Sequence, residues 1–113
     1  MTQVLKLSSA LFEPIRRGLK KATIRNGKRD IEPGPLTFET PDDVQPYESV
    51  DVDVLRVSYL AFGSLNTNDA ALEGVHLSVL KESMKMFYPD ISPSNIVTLI
   101  EFVSSSIGTA VEL

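Results

Sequence analysis

SVDVDVLRVSYLAF, residues 49–62, is the longest strand-like run in the chain. Its apolar residues alternate, but the alternation changes phase. Val50, Val52 and Val54 fall on one face, whereas Leu55, Val57 and Tyr59 fall on the other. Period-two alternation marks a strand. A switch of face at Val54–Leu55 calls for a β-bulge, which inserts one extra residue, or for a strand bent around a barrel corner. Either feature curves the sheet.

Outward from that run the chain keeps to short elements. Residues 2–7 read as a strand, with Val4, Leu5 and Leu7 available to the core, and Leu36–Glu39 and Asn95–Val103 read as two more. Ala22–Arg25 alternates, with Ala22 and Ile24 on one side and Thr23 and Arg25 on the other. Glu13–Gly18 reads as a helical turn, in which Pro14 suits the first turn and Gly18 the left-handed exit. Asn-Gly and Pro-Gly-Pro place turns in residues 26–35, and Thr40–Glu48 reads as a loop. Asn66–Leu72 fits a short helix capped by Asn66 or Thr67 and ended by Gly74. Leu77, Leu80, Met84 and Phe87 follow at helical spacing, which predicts an amphipathic helix over 76–87, closed by Tyr88-Pro89. The expected fold class is α+β: a small curved sheet or barrel of about five strands with two or three short helices, and not a doubly wound α/β sheet. The domain is expected over residues 1–103, with 104–113 a tail that frays or adds a short edge strand.

Size and composition narrow the function. The chain has 113 residues, enough for one domain with a modest core. It has no cysteine, which excludes a disulfide framework and a thiolate zinc site and points to a reducing compartment. No apolar run approaches the roughly 18–20 residues that span a bilayer, and the N-terminus lacks a signal-peptide pattern. A cytoplasmic protein without membrane attachment is the expectation. There is no phosphate-binding loop and no dinucleotide fingerprint. With a single histidine, a serine triad would have to use His76, which belongs on the polar side of its helix. Asp51 and Asp53 share a strand face, but two carboxylates make a poor cation site, and a solvated face is the better reading. No metal and no cofactor are expected.

The distribution of positive charge is the informative feature. The formal net charge is −4, yet seven of the eleven Lys and Arg residues lie between Arg16 and Arg29. Charge clusters are common on solvated turns. The local geometry supports a sharper reading. Thr23 and Arg25 point the same way, and Lys20, in the turn that follows Gly18, can reach over to join them. A threonine hydroxyl becomes a nucleophile when a base takes its proton. A lysine amine serves as that base in its neutral form, which burial and neighbouring cations such as Lys21 and Arg25 favour. Arg25 can stabilise a developing oxyanion or orient the substrate. The acid for the leaving group is then Glu73, at the end of the first of the two later helices, where the helix dipole favours protonation.

The spacing Gly18-x-Lys20-x-x-Thr23-x-Arg25, after a short helix near the N-terminus, resembles the signature of ASCH domains, small β-barrel modules related to the PUA fold. LNTNDAALEGVHLSVLKESMKMFYP, residues 65–89, resembles one branch of them, the small bacterial N(4)-acetylcytidine amidohydrolases, and NIVTLIEF, residues 95–102, resembles their closing strand. The resemblance spans roughly residues 7–103. It implies Lys20 as proton acceptor, Thr23 as nucleophile and Glu73 as proton donor, with Arg25 in a binding or electrostatic role; Lys21 is expected beside Arg25 on the substrate. Lys21 stands where that branch often has threonine, and the loop Thr40–Glu48 has no obvious counterpart; both bear on which substrate fits. The implied partner is a small nucleoside, and the implied protein a monomer. The competing reading is a non-catalytic RNA-binding ASCH module. A single basic patch on an acidic chain, without an aromatic platform beside it, predicts RNA binding that is weak and salt-sensitive.

Overall fold

The structure, a computed structural model, describes residues 3–105. One sheet holds the strands β1 (Gln3–Lys6), β2 (Ala22–Asn26), β3 (Gly34–Glu39), β4 (Ser49–Ala61) and β5 (Ile96–Ser104), in the spatial order β1-β3-β4-β5-β2. β1 runs parallel to β3, and the other neighbours are antiparallel. Three α-helices, α1 (Phe12–Arg16), α2 (Thr67–Glu73) and α3 (Leu77–Phe87), complete an α+β fold.

The phase change in β4 is a bulge. Val54 lies opposite Phe102, Arg56 opposite Glu101 and Val57 opposite Ile100, so Leu55 is the extra residue. Directly paired residues share a face, which returns Val57 to the side of Val54 and to the same core. The insertion therefore preserves the buried face where an uninterrupted strand would have moved it across the sheet. Leu55, expected to share a face with Val57, is instead the bulged residue and 60% exposed; Tyr59, opposite Thr98, does share the face of Val57 but is 43% exposed.

β5 is buried on both sides. Ile100 and Phe102 face a core formed with Phe12 and Ile15 of α1, Leu36, Phe38 and the valines of β4. Val97 and Leu99 face a second core with Ala22, Ile24, Ala70 of α2, and Leu80 and Met84 of α3. This is why residues 96–100 read as a nearly continuous apolar run: a strand covered on both faces has no polar side to show. β1 and β2 are the two edges of the sheet, yet Arg25 of β2 donates from Nη2 to the carbonyl of Lys6 in β1 at 2.9 Å. The sheet is thus curled far enough for its edges to face each other, a half-barrel that opens between them.

Local signals set most element ends. Asn66 accepts from the Asp69 backbone N–H at 3.0 Å, and the Asp69 carboxylate accepts from the Asn66 N–H at 2.9 Å, a reciprocal cap at the start of α2. Two side chains depart from the sequence expectation. Val4 is half-exposed, because β1 is an edge strand that turns only its alternate residues inward. Phe87 is 81% exposed although its spacing matches Leu80 and Met84; it is the last residue of α3, and Tyr88, just beyond it, packs against the second core instead. β5 runs on to Ser104, and the Ser105 N–H donates to the Asp51 carbonyl at 3.1 Å. The fraying or edge pairing expected for the tail concerns residues that otherwise lie outside those described.

Candidate active site

The site is built on the turn that leaves α1. Gly18 takes φ +74°, in the left-handed region, and the N–H groups of Leu19 and Lys20 both donate to the Pro14 carbonyl, at 2.9 and 3.2 Å. This tight exit turns the Lys20 side chain inward, where it is 5% exposed. Its ammonium donates to the Ala22 carbonyl at 2.8 Å and forms an ion pair with Glu73 Oε1.

Glu73 comes from 53 residues further along the chain, and the backbone explains how it is held there. The Lys21 N–H donates to the Leu72 carbonyl at 2.6 Å, which ties the end of α2 to the Lys20 turn. Gly74 ends α2 with φ +79°, and a Cβ at that position would lie 2.8 Å from the Leu19 carbonyl oxygen. Only glycine meets both conditions, the left-handed φ and the close approach. The sequence reading needed Gly74 as a helix stop. The structure adds that it lets two backbones meet and carries Glu73 to Lys20.

Thr23 and Arg25 share the face of β2 opposite Ala22 and Ile24. Thr23 Oγ1 accepts from Arg25 Nε at 3.2 Å, which leaves the hydroxyl proton free for another acceptor. Among the described residues no hydrogen bond joins Lys20 to Thr23. Burial pulls the Arg25 guanidinium below its usual titration range; the Tyr88 phenol acts against that, Arg29 adds to it and Glu73 opposes it. The guanidinium is therefore largely withdrawn from water and fixed by Thr23 and by the edge of β1.

Lys20, Thr23, Arg25 and Glu73 line one cavity of about 480 Å³. That volume suits a small organic molecule. Leu7, Leu11, Val75, Leu80, Met84 and Phe87 make most of its wall apolar, and Lys6 and Pro41 also border it. The geometry offers a hydroxyl, an amine, a carboxyl group and a fixed cation around a mostly apolar space.

The rest of the basic stretch does not join them. Lys21 is exposed and outside the cavity lining, as expected of the residue next to an inward-pointing one in extended chain. Arg16 reaches the Ser49 carbonyl, Lys28 lies over the Tyr59 ring with Nζ 5.2 Å from its centre, and Arg29 bonds the Asn26 carbonyl. The cluster seen in the sequence is thus dispersed in space. His76 is exposed at the N-cap of α3 and lies outside the cavity. Asp51 accepts a hydrogen bond from the Thr37 hydroxyl at 2.7 Å. Lys6, Phe87 and Tyr88 line the cavity without having been singled out for it. For Tyr88 the signal was the Tyr-Pro that closes α3. For Lys6 there was none, since only the curl of the sheet brings β1 to β2.

No family model matches the chain, and no curated protein matches it in sequence. Solved structures do. The ASCH domain from Lactobacillus crispatus JV V101 superposes with a TM-score of 0.72 at 16% identity, over 90% of this chain and 79% of that one. Protein EF3133 from Enterococcus faecalis V583 gives 0.73 at 14% identity, over 92% and 76%. Hypothetical protein PH0355 gives 0.68 at 19% identity, over 92% and 99%. Identities this low carry the architecture and nothing finer: the chain has the fold of an ASCH domain, with four convergent polar side chains in the cavity where its sheet edges meet.

Proposed function

We propose that this protein is an amidohydrolase that cleaves the N(4)-acyl amide of a modified cytosine nucleoside, N(4)-acetylcytidine being the reference substrate, with Lys20 as base, Thr23 as nucleophile and Glu73 as acid. The observation that carries the reading is the buried pairing of Lys20 with Glu73, which lines one mostly apolar cavity together with Thr23 and Arg25.

A single proton decides the roles of that pair. With the proton on nitrogen, Lys20 is an ammonium and Glu73 a carboxylate. With the proton on oxygen, Lys20 is a neutral amine able to accept and Glu73 an acid able to donate. Excluding water destabilises the separated charges relative to the neutral form, so a substrate filling the cavity favours the reactive arrangement. The Thr23 proton then passes to Lys20 as Oγ1 attacks the acyl carbon. Arg25, already bonded to Oγ1, stabilises the negative charge that develops. Glu73 protonates the departing N(4) amine, and the C–N bond breaks. What remains is an acyl ester on Thr23, ammonium on Lys20 and carboxylate on Glu73. Water attacks the ester and gives a proton to Glu73, Lys20 returns one to Thr23, and the acid is released with every group restored. No metal or cofactor is called on for any step.

The dispersal of Arg16, Lys28 and Arg29 away from the cavity weighs against the RNA-binding alternative, because phosphate tracking needs a continuous basic surface. The test is incubation with N(4)-acetylcytidine. Cytidine and acetate should appear in equal amounts over time. Unchanged substrate, with a preparation that is folded by circular dichroism, would overturn the proposal.

A further inference from the structure

A second cleft, of about 430 Å³, adjoins the main cavity, for Phe87 and Tyr88 border both. Its chemistry is different. Beyond the two aromatic residues it is lined by Asn26, Asp90 and Asn95, with Pro89 and Ile91, and no lysine or arginine faces it. Among the described residues nothing pairs with the side-chain amide of Asn26 or with the Asp90 carboxylate. The Asn95 amide oxygen accepts from the Ser92 N–H at 2.7 Å, which leaves its two N–H donors unused. The cleft thus presents two carboxamides and a carboxylate, a set of donors and acceptors with net negative charge.

We infer that this cleft binds the sugar of the substrate, a neutral hydroxyl-bearing group, and that Asp90 turns away phosphorylated forms. Hydroxyl groups both donate and accept, and a carboxylate is a strong acceptor for them. A phosphate offers only acceptors and a like charge, which is repelled. Phe87, largely exposed and standing between the two spaces, gives a planar base a wall to lie against while the attached sugar reaches Asn26. Neither the basic stretch nor the Lys20–Glu73 pair enters this argument. It rests on the amidohydrolase reading only for the choice of base.

Calorimetric binding of cytosine, cytidine and cytidine 5′-monophosphate to the full chain tests it without turnover. Cytidine should bind about tenfold more tightly than cytosine, the effect of one or two well-placed hydrogen bonds. Asn26→Ala should bring cytidine down to the level of cytosine and leave cytosine unchanged. Asp90→Asn should improve the monophosphate relative to cytidine by about tenfold. Equal binding of cytosine and cytidine by the wild type, no binding of cytidine at millimolar concentration, or an Asn26→Ala loss shared by both would overturn the inference. The two proposals fail separately. A protein inert towards N(4)-acetylcytidine that still prefers cytidine keeps the cleft and loses the hydrolase. One that hydrolyses N(4)-acetylcytosine and N(4)-acetylcytidine equally well keeps the hydrolase and loses the cleft.

Discussion

Two lysine–carboxylate pairings border the same cavity, in opposite surroundings. Lys20 and Glu73 have side chains 6% and 13% exposed. Lys6 pairs with Glu39 and Asp42 at 2.9 Å each, with side chains 45%, 23% and 86% exposed. In water such a pair forms and dissolves at little cost, and salt screens it. Out of water both charges lose hydration, and the attraction between them compensates only when the geometry is good and the remaining donors are satisfied. The buried pair is correspondingly held by backbone: the Ala22 carbonyl, the Lys21–Leu72 hydrogen bond and the close passage of Gly74. The exposed cluster ties β1 and β3 to the loop that follows Glu39. A buried ion pair adds little stability for what its formation costs, which fits the proposal that this one serves chemistry.

Five outcomes would break or sharpen that contrast. The largest is expected at Thr23. Thr23→Ala should lower turnover by on the order of 10⁴- to 10⁶-fold, as removal of a nucleophile does, while costing only about 1 kcal/mol of stability for the hydrogen bond from Arg25. Steady-state kinetics and urea unfolding on one preparation measure both. Residual activity above a hundredth of wild type would mean that Thr23 is not the nucleophile.

Lys20→Arg comes next, with a loss of about 10²- to 10⁴-fold, since arginine keeps a positive charge but cannot accept the proton. Retained activity would make Lys20 a simple anion-attracting group. In unfolding experiments Lys20→Ala should cost about 3–5 kcal/mol by leaving Glu73 buried and unpaired, and Lys20→Met with Glu73→Gln should recover much of it. If the double variant is no better than the single, the buried charge is not the source of the cost.

Arg25→Ala should reduce turnover by about 10²- to 10³-fold, as loss of an oxyanion donor does. It also removes the link between the edge strands, so Arg25→Lys serves as the control that keeps the charge and loses the planar fork. Recovery by lysine would assign Arg25 a purely electrostatic role.

Gly74→Ala tests the backbone meeting itself. A side chain at positive φ costs roughly 1–3 kcal/mol, and here it also pushes against the Leu19 carbonyl. Activity should fall with stability, whereas Gly27→Ala, strained by a similar φ of +82° but with open space around its Cβ, should cost stability alone. Equal effects on turnover would remove Gly74 from the account of how Glu73 is positioned.

The smallest effect belongs to the exposed cluster. Hydrogen bonds from Lys6 and then Tyr47 hold the Glu39 carboxyl below its ordinary value of 4.5. A depressed carboxyl contributes stability that is present above its unfolded value and lost as pH falls through the folded one, so the loss lies on the acid side of 4.5. Lys6 is displaced the other way, upwards, by Glu39 first and Asp42 second, and its contribution fades only as pH rises through the alkaline range. At neutral pH both are intact. The NMR shift of the Tyr47 ring should report the acid transition, and Lys6→Ala should move its midpoint up towards 4.5. An unmoved midpoint would separate Lys6 from Glu39.

The sequence made some of this legible and hid the rest for identifiable reasons. The bulge showed in the change of phase at Val54–Leu55, because alternation is a local property of one strand. Which residues returned to the core did not, since that depends on the register with β5. The ends of α2 were legible in Asn66 and Gly74, whose conformational preferences act within a few residues. Phe87 was misassigned because helical spacing holds only while the helix lasts, and where α3 ends Tyr88 takes the place against the core. Lys21 and Lys20 are alike in composition and adjacent in sequence; only the turn fixed by Gly18 and Pro14 sends one inward and the other out.

By itself, then, the sequence determined an α+β chain with a curved sheet, its helix caps, and the presence of a lysine, a threonine, an arginine and a glutamate, the set on which the proposed acyl chemistry rests. Those follow from local rules of periodicity, capping and side-chain chemistry. Tertiary structure alone decided that β1 and β2, at opposite edges of the sheet, close on each other, that Lys20 and Glu73 pair across 53 residues of chain, and that Arg16, Lys28 and Arg29 go elsewhere. Distance along a chain says nothing of distance in space once a sheet curls, and the curl is the product of all five strands pairing at once.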